Sequence, residues 1–147
     1  MNLMIIGDPH AHPDYDNSRF EKLGKFIAKV KPDAVICMGD FADMPSLSSY
    51  DRGTKGFEGR RYQKDVDAAL DAQDRLLHPI KRMKSMKRYM VLGNHEDRIS
   101  RVTNSTPELD GTIGIKDLKY KENGWKVTPF KKSLKLKNIM FSHYFSS

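Results

Sequence analysis

Cysteine is almost absent: Cys37 stands alone among 147 residues. One thiol makes no internal disulfide and cannot supply a four-cysteine structural zinc site. That fits a reducing compartment, so the expected location is cytoplasmic. Long apolar runs are missing as well. The longest, residues 3–6 and 34–38, fall far short of the roughly 18 residues a membrane-spanning helix needs, and no membrane partner is expected. The opening Met1-Asn2-Leu3-Met4-Ile5-Ile6 has no basic leader and no small-residue cleavage site, so no secretory signal is read. Acidic residues are in deficit, 19 against 26 Lys+Arg, for a net charge of +7, which turns attention to anionic partners. A hydrophobic share of 38% is low, yet above the collapse expected of a chain that never folds. The length fits one domain.

Organisation follows from periodicity. Residues 2–7 form a short apolar run ending in Gly7, read as a buried strand. Ser18 then serves as the expected cap of a helix whose apolar stripe is Phe20, Leu23, Phe26, Ile27 and Val30, ended by Pro32. Residues 34–38 read as a second buried strand. Residues 43–59 carry Ser, Gly, Asp and Pro without a period, which predicts a long loop, expected to face substrate as a lid. A second helix is predicted over residues 62–83, kinked or shortened by Pro79, then a third strand over 88–92. Alternation of strands and helices at these spacings predicts an α/β fold with a parallel sheet. Residues 94–104 have room for a short helix. Residues 125–130 and 133–144 read as two further strands, expected to pair antiparallel across a Lys-Lys turn.

The chemistry sits after the strands. Each of the first three ends in glycine followed by metal-ligating side chains: Gly7-Asp8-Pro9-His10, Gly39-Asp40-Phe41-Ala42-Asp43 and Gly93-Asn94-His95-Glu96. In an open parallel sheet, ligands bind beyond the carboxyl ends of the strands, so these groups are expected to converge on one crevice. Carboxylate and imidazole donors suit a hard or borderline divalent ion such as manganese, iron or zinc. Any one of these pieces alone is commonplace, since Asp in such a turn also makes Asx turns and caps. Three in order at three consecutive strand ends are not.

On those motifs the sequence resembles the calcineurin-like metallophosphoesterases, whose pattern is D-x-H, G-D-x-x-D, G-N-H-[ED] and then an isolated histidine. That last piece matches His143 in Met140-Phe141-Ser142-His143. The resemblance covers Asp8 to His143 and implies one calcineurin-like phosphoesterase domain over residues 1–147, a sandwich of two central β-sheets flanked by helices. It implies two divalent metal ions, manganese first, with iron, zinc or nickel as the others. Asp8 and His10 would hold the first ion, Asp40 would bridge both, and Asn94 and His143 would hold the second. A bridging carboxylate lets two cations sit about 3.5–4 Å apart and activate a hydroxide for direct attack on a phosphoester. His95 is then the acid that protonates the leaving group, oriented by Asp43. The implied activity is phosphomonoester or phosphodiester hydrolysis, nucleic acid or nucleotides included.

Two departures stand out. Met44-Pro45 follows the second motif in place of Arg-Gly, so a phosphate-binding arginine must come from elsewhere; Arg98, Arg52 and Arg60 are the candidates. The family's closing G-H-x-H is also missing. The expectation is therefore an N-terminal portion of the domain with an incomplete metal shell, weak metal binding and little activity alone. A C-terminal complementing segment, as in a split enzyme, would be its partner.

Basic residues cluster twice. Residues 81–88 hold five positive charges and no acid, and residues 116–137 hold eight lysines against Asp117 and Glu122. Both are candidate footprints for DNA or RNA phosphates, with a solvated lysine face as the plain alternative. This leaves open a second reading: a nucleic-acid-binding or scaffold module that keeps the fold without turnover. Tyr120, Trp125 and Phe130 are interleaved aromatics that suit stacking on bases, although strand spacing favours the core for most of them. His12, two residues past His10, is a candidate for reaching the metal or the substrate.

Overall fold

A computed structural model describes residues 1–145. Four short strands form a parallel sheet: β1 (Leu3–Ile6), β2 (Ala34–Cys37), β3 (Lys87–Val91) and β4 (Lys126–Thr128), in the order β1-β2-β3-β4. Leu3 pairs with Ala34, Ala34 with Lys87, and Tyr89 with Lys126. Helices α1 (Ser18–Val30) and α2 (Tyr62–Leu77) are the crossovers, and α3 (Asn94–Ser105) follows β3 directly. The fold class is the α/β arrangement expected.

Alternation along β2 divides the core. Val35 and Cys37 face the helices and join Phe20, Ile27, Ala69, Ala72 and Leu76, whereas Ala34 and Ile36 face the other way. There they pack with Tyr89 and Phe141 under a hairpin of β5 (Leu134–Leu136) and β6 (Ile139–Phe141). That hairpin is a second, two-stranded sheet stacked on the first. Helices α1 and α2 approach closely because residue 24 is glycine: a Cβ there would lie 2.3 Å from the Leu76 carbonyl oxygen.

Several expectations are corrected. The strand at residues 125–130 does not pair with the one after it; β4 pairs parallel with β3. Residues 133–144 split into the β5–β6 hairpin, turning at Lys137, whose φ of 52° is left-handed. No Gly or Asn-Gly announced that turn, so the sequence read as one long strand. Ser18 is the first helical residue and not the cap. Asn17 precedes the helix, and the Ser18 N–H and hydroxyl both donate to the Asp16 carboxylate. Phe26 and Val30 lie outside the buried stripe, at 55% and 47% exposure. Helix α2 ends at Leu77, with Pro79 in a following 3-10 turn (His78–Ile80), as proline in that position requires. The loop after β2 holds two 3-10 turns, Pro45–Leu47 and Lys55–Phe57. Among the described residues no helix is long and apolar enough to cross a membrane.

Candidate metal centre

The loops after β1 and β2 are zipped together by the backbone. The N–H groups of His10 and Ala11 donate to the carbonyls of Asp40 and Phe41, at 2.9 and 2.7 Å, and the Asp43 N–H returns to the Ala11 carbonyl at 3.0 Å. Four non-glycine residues in these loops adopt left-handed backbone: Asp8 (φ 23°), His10 (φ 48°), Asp40 (φ 50°) and Met44 (φ 52°). Such conformations cost on the order of 1–3 kcal/mol each and persist only where surroundings enforce them. One enforcer is Arg19 of α1, whose guanidinium donates to the carbonyls of Pro9 (2.5 Å) and His10 (2.8 Å).

A second enforcer is Glu96, fully buried on the first turn of α3. Its Oε2 accepts the N–H groups of Gly93 (2.9 Å) and Asp40 (3.0 Å), and its Oε1 accepts the Ala42 N–H (3.1 Å) and the Tyr120 hydroxyl (3.0 Å). Burial raises its pKa, opposed by those donors and supplemented by the Asp40 charge. One carboxylate thus joins the ends of β2 and β3. Gly93 lets them meet: a Cβ there would lie 2.0 Å from Asp40 Oδ1.

Two clusters of donor atoms result. Asp8, Asp40 and His143 offer donors within 4.8 Å of one another, as do His10, Asp43 and His95. In the first cluster His143 Nδ1 lies 2.6 Å from the Met38 carbonyl and donates to it, which aims Nε2 at Asn94 Oδ1 (2.9 Å) and Asp40 Oδ2 (3.5 Å). Among the described residues neither Asp8 nor Asp40 has a Lys or Arg ion-pair partner. Two converging carboxylates and an imidazole nitrogen, with no Lys or Arg ion pair among the described residues to neutralise them, form a donor set that fits a divalent metal.

In the second cluster Asp43 is shared. Its Oδ1 lies 2.6 Å from His10 Nδ1 and 3.0 Å from His95 Nδ1. Burial raises the Asp43 pKa, but the bonds from His95 and His10 outweigh it and hold the carboxyl well below its usual range. Burial likewise disfavours charge on His95, yet the Asp43 bond and the Asp40 charge prevail and its pKa is raised. His95 Nε2 stands 3.8 Å from Asp40 Oδ2, so Asp40 touches both clusters.

The structure brings Asp8, Asp40, Asn94 and His143 together, and groups His10 with Asp43 and His95. His12 reaches the second cluster only through Asp43, at 3.7 Å. Arg98 donates to the carbonyls of Asp43 (3.0 Å) and Met44 (3.3 Å) and sets a second nitrogen 3.3 Å from His95 Nε2. Arg60 is not at the site: it is engaged by the Pro45 carbonyl and by Asp51. Arg52 is exposed on the loop after β2. Tyr120 and Trp125 are core residues, at 2% and 3% exposure. Lysines of both basic segments, Lys87, Lys135 and Lys137, line a cleft with Met1 and Lys31 at the start of the strands, the end of the sheet opposite the donor clusters. Arg19 was not a candidate from the sequence, and Tyr120 was read there as a base-stacking or core aromatic and not as a donor to Glu96, because these contacts join elements distant in the chain. Only the position of Glu96 in the third motif hinted at its role.

The family model described as calcineurin-like phosphoesterase matches residues 1–145. No curated protein matches the chain.

Proposed function

The chain belongs to the calcineurin-like phosphoesterase family, and from that premise we propose that it hydrolyses phosphoester bonds by direct attack, using two divalent metal ions with manganese as the first choice. The observation that carries this reading is the approach of the Asp8 and Asp40 carboxylates to His143, all within 4.8 Å and, among the described residues, without a Lys or Arg ion-pair partner. When bound, the ions supply Lewis-acid charge for the phosphoryl oxygens and a nucleophile at neutral pH. In this reading Asp8, His10, Asp40, Asn94 and His143 hold them, with Asp40 between the two groups. The Met38 carbonyl accepts the Nδ1 proton of His143 in a hydrogen bond, which leaves Nε2, facing Asn94 and Asp40, as the nitrogen that would ligate. His95 gives its proton to the leaving oxygen, and Asp43 orients that imidazole and favours its charged form. Arg98, beside His95, is the arginine to receive phosphoryl charge.

Calorimetric titration with Mn²⁺ tests this on the chain as it stands. Saturable binding by the wild type, lost in Asp40→Asn, supports it. Equal binding by wild type and Asp40→Asn overturns it.

A further inference from the structure

Beside the first donor cluster lies a cleft of about 520 Å³ that the reaction residues do not fill. Asn94 and His143 form the wall it shares with the metal centre. Its other walls bring aromatic rings and cations together: Tyr50, Phe130 and Tyr144 with Arg98, Arg101 and Lys131. Tyr50 is 88% exposed and Tyr144 54% exposed, so neither ring serves the core. Phe130 stands 6.4 Å from the His143 ring, and the Lys131 ammonium 5.7 Å from the Phe130 ring. One acid, Asp97, lines the cleft, and it is already paired with Arg101 at 3.6 Å.

Resting on the phosphoesterase reading, we propose that this cleft binds single-stranded nucleic acid, stacking a base on the aromatic rings and taking the neighbouring phosphate on Arg101 and Lys131. Every base offers a π-face to Tyr50, Phe130 and Tyr144, and stacking of this kind is tolerant of sequence. An unpaired excess of cations in the same cleft complements a second phosphate next to the scissile one. A phosphomonoester metabolite without a ring would leave the aromatic wall unused. Lys87, Lys135 and Lys137 line the cleft at the far end of the sheet and take no part.

The test is fluorescence anisotropy of a labelled short oligothymidylate in EDTA at low salt, so that nothing is cleaved. Tyr50→Ala and Lys131→Ala should each weaken binding about tenfold. Lys131→Ala should also reduce the salt slope by about 0.7. An abasic oligonucleotide of equal length should bind about as weakly to the wild type as the oligothymidylate does to Tyr50→Ala. Lys87→Ala and Lys135→Ala should leave binding within about twofold. No wild-type binding, equal affinity for the abasic strand, or losses confined to the two far-lysine variants would each overturn the proposal. The metal reading is scored separately by Mn²⁺ calorimetry on wild type and Asp40→Asn. Strand binding that follows Tyr50 and Lys131, without Mn²⁺ binding, would sink that reading and leave the cleft assignment standing.

Discussion

Replacing Gly93 with alanine should damage the metal centre while leaving most of the fold intact. The backbone at Gly93, φ −98° and ψ −176°, suits any residue, so the objection to a methyl group is space and not conformation. The new Cβ would lie 2.0 Å from Asp40 Oδ1 and 2.6 Å from the Asp40 nitrogen. Ordinary contact begins near 3.4 Å, which leaves a shortfall of about 1.4 Å against the 2.0 Å available. If Asp40 yields, its carboxylate leaves the His95 N–H (2.9 Å) and His143 Nε2 (3.5 Å). If the β3–α3 junction yields, Gly93 and Asn94 pull away from Glu96 and His143. Either way a ligand moves by more than an ångström, a displacement that costs on the order of 100-fold where geometry governs chemistry. Overpacking of this kind costs about 1–3 kcal/mol, or roughly 3–10 °C in Tm for a chain of this size. Mn²⁺ calorimetry and a thermal melt measure the two effects. The expected result for Gly93→Ala is a folded protein with Mn²⁺ affinity reduced at least tenfold. Wild-type affinity in a folded Gly93→Ala protein would refute the reasoning.

The other expectations concern groups the fold has buried. Glu96→Gln turns an amide NH₂ toward donors, leaving at least one of the N–H groups of Gly93, Asp40 or Ala42 unpaired; the cost should be about 1–3 kcal/mol, read as a lower urea midpoint. Tyr120→Phe removes one of the four donors and should cost less; unchanged midpoints in both variants would dismiss the tether. Burial pushes the Cys37 thiol pKa up, so a thiol reagent should react with it only in denaturant, and rapid labelling of the native protein would contradict its placement.

What could be read from the sequence was decided locally. The ends of β1, β2 and β3 were legible because an apolar run, a glycine and a ligand lie within about seven residues of one another in each case. Helix α2 was legible from its period, and Pro79 stopped it near where proline must. The pairing of β4 was not legible: three residues carry little pattern, and the segment between α3 and β4 holds only 3-10 turns, Pro107–Leu109 and Ile115–Leu118, with no crossover helix to signal a parallel strand. The hairpin turn was hidden because a lysine, not a glycine, takes the left-handed position. At the site, ligand types were visible but their grouping was not. His10 is two residues from Asp8, yet its left-handed backbone turns the ring toward Asp43. Arg19 and Glu96 act through contacts made only once the loops have come together.

Crystals soaked in Mn²⁺ and measured at the manganese absorption edge address the metal centre most directly. An anomalous peak within coordinating distance of Asp8, Asp40 and His143 is the result expected. Full soaking with no peak beside Asp40, in a structure where those three side chains still converge, would contradict the account.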